Sequence, residues 1–188
     1  PQDPSQLSKN IVLPDDSTRP EPPVIDDLTD VELESGRHLA AVHDGQRRNM
    51  QVLSDLIAAA RAGALSSEEL AEATDKLAIL NNYRHFGSLC GQQCQIVHTH
   101  HSIEDAYVFP ELSAKAEAFR RVVNRLMEEH EVVHALLLEL VDELNVLIET
   151  PSTEAFETAV ATYERLETLL LSHFSYEERA IGPALGRY

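Results

Sequence analysis

Two segments of the sequence repeat one arrangement of side chains that can hold a metal. In each segment, a histidine is followed four residues later by a glutamate and ten residues later by a proline. The members are His100, Glu104 and Pro110 in the first segment and His173, Glu177 and Pro183 in the second. Residues at positions i and i+4 of a helix lie about 6 Å apart on one face. A neutral imidazole and a carboxylate at that spacing can bind one ion or a pair of ions, so two such pairs form half of a metal site.

Hydrophobic periodicity predicts the elements that must position these pairs. From about residue 29 onward, apolar residues recur at intervals near 3.6, which is typical of amphipathic helices, and no segment reads as a strand. Because the loops between the helices are short, we predict an all-α fold, an up-down-up-down antiparallel four-helix bundle over residues 29–188. The helices are expected over about residues 30–61, 66–109, 115–149 and 153–181.

Local signals mark the expected helix ends. Gly63 should stop the first helix, and Ser66 with Glu69 has the spacing of a capping box that starts the second. Pro110 should end the second helix, and the Asn81-Asn82 pair either breaks or kinks it. Residues 1–28 hold six of the nine prolines and show little helical periodicity, so we expect an extended N-terminal arm there.

Five of the nine histidines fall on the predicted inward faces of the helices. They are His43, His100, His130, His134 and His173. Counted from the expected helix ends, these positions fall at a similar height in an antiparallel bundle, since a helix rises about 1.5 Å per residue. The predicted inward stripe of the first helix includes Leu39, Val42 and Met50, and that of the second is Leu89, Ile96, His100, Ile103 and Tyr107. Burying five imidazoles and two carboxylates at one level without an ion would cost several kcal/mol for each unpaired group.

The number of candidate ligands indicates two metal ions. Five imidazoles and two carboxylates exceed the four ligands of a tetrahedral zinc site. If Glu104 and Glu177 bridge two six-coordinate ions together with an oxide or hydroxide, three histidines complete one ion and two leave the other with an open position. One ion would be completed by His130, His134 and His173. The other would be bound by His43 and His100 and would keep the open position. Mixed imidazole and carboxylate ligation with a vacancy favours iron.

Neighbouring residues leave alternatives open within each pair. His101 with Asp105 competes with His100 and Glu104 at the same spacing, and Glu178 competes with Glu177. Tyr107 is expected either as a hydrogen-bond donor near the site or as a core aromatic. The residues expected to play no part in ligation are His38, His85 and His98, with Cys90 and Cys94 as buried thiols.

The order of these motifs closely resembles the hemerythrin family, in its single-domain HHE cation-binding form, over about residues 30–185. The match consists of one histidine on the first helix, His-x-x-x-Glu on the second, histidines on the third and His-x-x-x-Glu on the fourth. The resemblance implies a non-haem di-iron protein, with an oxo or hydroxo bridge, that binds dioxygen or a related ligand such as peroxide or nitric oxide. Two alternatives stay open: an enzyme that disproportionates peroxide or reduces nitric oxide, and cation storage without turnover.

The composition excludes several other classes of partner. The net charge of −17 opposes binding to nucleic acid, which depends on lysine and arginine at phosphates, and to anionic membrane surfaces. No apolar run is long enough for a membrane span, and no signal peptide is visible in the sequence. Two cysteines do not form a disulfide framework, so a cytoplasmic location is expected.

Overall fold

The protein folds into four long helices without a strand among its described residues. The computed structural model describes residues 11–65 and 72–188, with side chains outside 63–82. The long helices are α1 (Glu32–Leu65), α2 (Glu72–Ile103), α4 (Glu117–Glu149) and α5 (Thr153–Ala180). Between α2 and α4 lie a π-helical turn (Glu104–Val108) and the short helix α3 (Phe109–Ser113).

The four long helices form a closed ring, which confirms the predicted all-α bundle. Helix α1 packs against α2 and α5, and α4 packs against the same two neighbours. The short connections make consecutive long helices antiparallel. Ser152 begins α5 as its N-cap, since its hydroxyl accepts a 3.1 Å hydrogen bond from the backbone N–H of Ala155.

Two of the predicted helix ends differ from the structure, and of the two alternatives at Asn81-Asn82 the break is excluded. Helix α1 continues through Gly63 to Leu65, since one interior glycine costs only about 1 kcal/mol. Helix α2 passes Asn81-Asn82 without interruption. Pro110 does not end the helical segment but lies in the first turn of α3, where its missing N–H needs no partner. The predicted capping box at Ser66 and Glu69 lies outside the described residues.

Two apolar clusters fill the bundle on either side of a polar layer. The larger cluster includes Met50, Val97, Val133 and Leu170. The smaller cluster, near one end, includes Leu39, Phe109, Leu126 and Tyr176. Helices α1, α4 and α5 pass from one cluster to the other, whereas α2 lies in the larger cluster and α3 in the smaller one. The histidines lie between the two clusters.

The inward face of α2 differs from the predicted stripe. Ile96, Ile103 and Tyr107 are exposed, with Tyr107 71% accessible, so this tyrosine is neither a core aromatic nor a donor at the site. The buried face of this segment instead includes Phe86, Cys90, Cys94, Val97, His101 and Glu104. On α1, Val42 is likewise partly exposed rather than inward.

The described part of the N-terminal arm, residues 11–28, lies along the bundle. It is extended apart from one 3₁₀ turn at Asp16–Thr18. Ile11 and Leu13 pack against the larger apolar cluster, and Ile25 packs against the smaller one. Within residues 11–65 and 72–188, no helix has an apolar stretch long enough to cross a bilayer.

Candidate metal centre

Seven side chains from the four long helices and the π-helical turn meet in the polar layer. They form two groups in which the potential ligand atoms all lie within 4.8 Å of one another. The histidine group is His101, His130 and His173, and the mixed group is His43, His100, Glu104 and Glu177. All are buried except His100, whose side chain is 13% exposed.

The two groups contain six of the seven residues expected from the sequence, together with His101. His134, expected as a ligand beside His130, belongs to neither group and is only half-buried, with its ring 4.9 Å from that of the exposed His98. The ring of His101 stacks on His130 at 3.8 Å between centroids and is fully buried. His100 and His101 are adjacent on α2, and each belongs to a different group.

Both glutamates lie within reach of both groups. Glu104 places Oε1 3.3 Å from His100 Nε2 and Oε2 3.8 Å from His130 Nε2. Glu177 places Oε2 3.4 Å from His43 Nε2 and 3.5 Å from His173 Nε2. Each carboxylate can therefore link an ion in one group to an ion in the other.

Three of the imidazoles are oriented by carboxylates that lie outside the two groups. His43 Nδ1 is 2.9 Å from Glu178, His130 Nδ1 is 2.9 Å from Asp105, and His173 Nδ1 is 2.9 Å from Glu129. A carboxylate accepts, so in the neutral form of each ring Nδ1 carries the proton and Nε2 keeps a lone pair directed into the layer.

Asp105 and Glu178, the alternatives that the sequence left open, both lie next to a histidine of the layer. Glu177 is fully buried in the layer, whereas Glu178 is partly exposed and bonds His43. Asp105 likewise stays outside the two groups and bonds His130. The interaction of Glu129 with His173 was not expected from the sequence; the one local signal for it is that Glu129 directly precedes a histidine.

The lone pairs in the layer converge on shared points. His130 Nε2 lies 3.2 Å from His173 Nε2, and His43 Nε2 lies 2.9 Å from His100 Nε2. Two unprotonated nitrogens repel at these distances unless a proton or a metal ion lies between them. Two nitrogens bound at right angles to one ion, each about 2.1 Å from it, would be about 3 Å apart. The observed separations fit a shared ion.

Several buried polar atoms in the layer have no hydrogen-bond partner among the described residues. They are both ring nitrogens of His101, Oε2 of Glu104 and both carboxylate oxygens of Glu177. Burial and the neighbouring Glu177 raise the pKa of Glu104 to about 10, and burial lowers the pKa of His101 well below its usual value. An apolar interior disfavours so many unpaired groups, and coordination to cations would satisfy the carboxylate oxygens and one ring nitrogen of His101.

The electrostatics around His173 favour positive charge at the centre of the layer. Burial alone would lower the pKa of His173, but its contacts with Glu129 and Glu177 raise that pKa to about 9. Contacts with His173 and His43 hold the pKa of Glu177 far below its usual value despite burial. Without a metal, a proton on His173 supplies the positive charge that Glu177 faces. A cation between His173 and Glu177 would supply that charge instead, so the residues present fit a metal.

A groove between α1 and α2 leads to the mixed group. Its cavity volume is about 1150 Å³, and its lining includes His100 and Glu104. The remaining lining is largely apolar and includes Leu39, Val42 and Ile96. The mixed group is therefore the one that a small molecule in this groove would meet.

The residues expected to lie outside the site do so. His38, His85 and His98 are exposed, and none belongs to either group. Cys90 and Cys94 are buried free thiols of the larger apolar cluster.

The polar layer lies within a segment that matches a known family model. The model is described as the hemerythrin HHE cation binding domain, and it matches residues 37–185. A search of curated proteins and a search of solved structures found no match.

Proposed function

Because the chain belongs to the hemerythrin HHE cation-binding family, we propose that its polar layer holds two iron ions and binds dioxygen or a related small ligand at one of them. The proposal rests on two adjacent groups of potential ligands, because Glu104 and Glu177 each lie close to a histidine of both groups. Imidazole and carboxylate ligands with a vacant position are suited to redox iron.

The structure supports a different ligand set from the one expected from the sequence alone. We assign His101, His130 and His173 to one iron, so His101 takes the place expected for His134. We assign His43 and His100 to the other iron, with Glu104 and Glu177 shared. With an oxide or hydroxide bridge, the first ion would have six ligands and the second would have five.

The groove supports placing the open position at the second ion. His100 is the one member of the two groups that is partly exposed, and it lines the groove together with Glu104. A ligand that enters from the groove would therefore meet the ion held by His43 and His100 first, whereas the imidazoles of the other group are all buried.

The carboxylates around the layer favour ligand binding over turnover of peroxide. When bound in this layer, the proposed irons would supply the electrons for reversible binding of a small oxidant. Cleaving peroxide also requires a group that delivers protons. Asp105, Glu129 and Glu178 are each bonded to an imidazole Nδ1, so these three carboxylates are committed to orientation.

Metal analysis and absorption spectroscopy of the aerobically purified protein test the proposal. We expect two irons per chain, oxo-bridge absorption bands, and a spectrum that changes reversibly when the reduced protein meets dioxygen. Oxygen evolution on adding peroxide would instead support a peroxide-disproportionating enzyme. Metal that exchanges freely without a chromophore under air would support storage.

A matched pair of variants ties the iron to the polar layer. His173→Ala should lower both the iron content and the absorption, because its Nε2 faces His130 and Glu177 at the centre. His98→Ala should change neither, since His98 is exposed and outside both groups. Full iron retention in His173→Ala would contradict the assignment.

A further inference from the structure

We propose that Arg19 of the N-terminal arm is a positioning residue of the metal centre, which holds His173 in place through Glu129. The inference rests on the proposed metal site, but it concerns a segment outside residues 37–185, the part matched by the family model. It makes the arm a component of the site rather than a cover for the bundle.

Glu129 is the side chain that joins the arm to the site. It is fully buried on α4, and each of its two oxygens accepts two hydrogen bonds. Oε1 accepts from Arg19 Nε at 2.8 Å and from Arg125 Nε at 2.7 Å. Oε2 accepts from Arg19 Nη2 at 3.0 Å and lies 2.9 Å from His173 Nδ1. The carboxylate therefore has no freedom to rotate away from the imidazole.

Arg19 is held as firmly as the carboxylate that it binds. Its side chain is 8% exposed, and Nη1 donates a 2.7 Å hydrogen bond to Ser172 on α5. Its guanidinium lies 4.9 Å above the ring of Tyr176, whose hydroxyl donates to the carbonyl of Pro20 at 2.9 Å. A planar guanidinium that bonds a carboxylate through two nitrogens fixes its orientation better than an ammonium would.

The 3₁₀ turn before Arg19 sets the direction of its side chain. Asp15 caps this turn by accepting a 2.9 Å hydrogen bond from the backbone N–H of Ser17. The carbonyl of Asp15 accepts from Arg125 Nη2 at 2.8 Å, so Arg125 binds both the turn and Glu129. The hydroxyl of Ser172 donates to Asp16 in the same turn.

The other two oriented histidines do not depend on the arm. Asp105, which bonds His130, and Glu178, which bonds His43, have side chains that are 32% and 26% exposed. Water can solvate those carboxylates if a neighbour is lost. Glu129 has no such exposure, so removing Arg19 leaves a buried carboxylate with one guanidinium, and such groups move or take up water. His173 would then lose its fixed orientation.

Iron release from the purified protein tests the inference. Arg19→Ala should release iron to a chelator roughly tenfold faster than the unchanged protein, since loss of a carboxylate partner of a ligating histidine costs about 10- to 100-fold in affinity. The absorption bands should shift, and Arg19→Lys should restore part of the difference because it keeps the charge without the two-nitrogen contact.

Leu13→Ala is the matched control within the arm. Leu13 packs on the larger apolar cluster, and the hydrogen bonds of Glu129 come from other residues, so this variant should lower the melting temperature while leaving the iron release rate and the spectrum unchanged. If Arg19→Ala and Leu13→Ala release iron at the same rate, the arm has only a structural role and the inference is wrong. If the unchanged protein binds no iron, it is the proposed function that fails.

Discussion

Asp105 accepts a 2.9 Å hydrogen bond from His130 Nδ1, and it directly follows Glu104, which reaches into the polar layer. The same relationship recurs in the second half of the chain, where Glu178 follows Glu177 and bonds His43. Each His-x-x-x-Glu segment thus ends in a proposed ligand carboxylate, followed by a carboxylate that orients a histidine on a neighbouring helix. The internal repeat therefore extends to the groups that hold the ligands.

We expect Asp105→Asn to weaken iron binding by about 10- to 100-fold. An asparagine oxygen can still accept from His130 Nδ1, but it lacks the charge that makes the imidazole a strong donor to a metal. Equilibrium titration of the metal-free protein with ferrous iron under nitrogen measures the change. Asp44→Asn is a control, because Asp44 is exposed and bonds Arg47 rather than a histidine. Equal affinity for both variants would show that the contact with His130 has no effect on the site.

The choice between His101 and His134 gives a second test. His101→Ala should remove at least half of the bound iron, since its ring is fully buried against His130 and its nitrogens have no other partner among the described residues. His134→Ala should keep the iron, because His134 lies outside both groups. Iron content per chain, measured after gel filtration, decides between them. Loss of iron in His134→Ala with retention in His101→Ala would restore the set expected from the sequence.

The helices could be predicted from the sequence because each carries apolar residues that recur at the helical period over many turns. The inward face of α2 could be predicted less well because Ile96 and Ile103, which are apolar, line the groove beside the site instead of the core. The π-helical turn adds one residue to the helical repeat after Ile103. That extra residue rotates the next turn of the chain about the helix axis, so Phe109 points inward while Tyr107 is exposed.

The arm contact could not have been predicted from any local pattern. Arg19 and Glu129 are 110 residues apart, and no periodicity relates an extended segment to a helix that it crosses. The i, i+4 pairs were visible because both members lie on one helix. A contact between an arm and a bundle depends on the folded arrangement, which only the structure provides.

A buried carboxylate far from the metal centre makes the stability depend on pH. Glu143 lies on α4 thirteen residues beyond His130, and burial raises its pKa to about 7, with Glu139 and Asp142 adding to the effect and Thr162 and Arg165 opposing it. The unfolded chain loses this proton near pH 4.5, so the group lowers the free energy of unfolding as the pH rises from about 4.5 to about 7.

Glu143→Gln should therefore stabilise the protein more at pH 8 than at pH 5. The expected gain at pH 8 is roughly 1 to 3 kcal/mol, because the neutral amide avoids the cost of burying a charge. Urea unfolding at the two pH values measures it. Glu149→Gln serves as the control, since Glu149 is exposed at the end of the same helix. A gain that is equal at both pH values would mean that ionisation of Glu143 is not its source.

The groove between α1 and α2 is the expected path of the ligand, and a bulky side chain in it should slow binding without removing iron. Ile96 is 47% exposed and lines the groove together with His100, so Ile96→Trp narrows the approach to the mixed group without touching a ligand atom. Stopped-flow mixing of the reduced protein with dioxygen should show a several-fold lower binding rate at unchanged iron content. Val146→Trp is the matched control, because Val146 is 48% exposed on α4 and does not line the groove. An unchanged rate in Ile96→Trp would mean that the ligand reaches the iron by another route, and the vacancy would then have to be reassigned to the ion held by His101, His130 and His173.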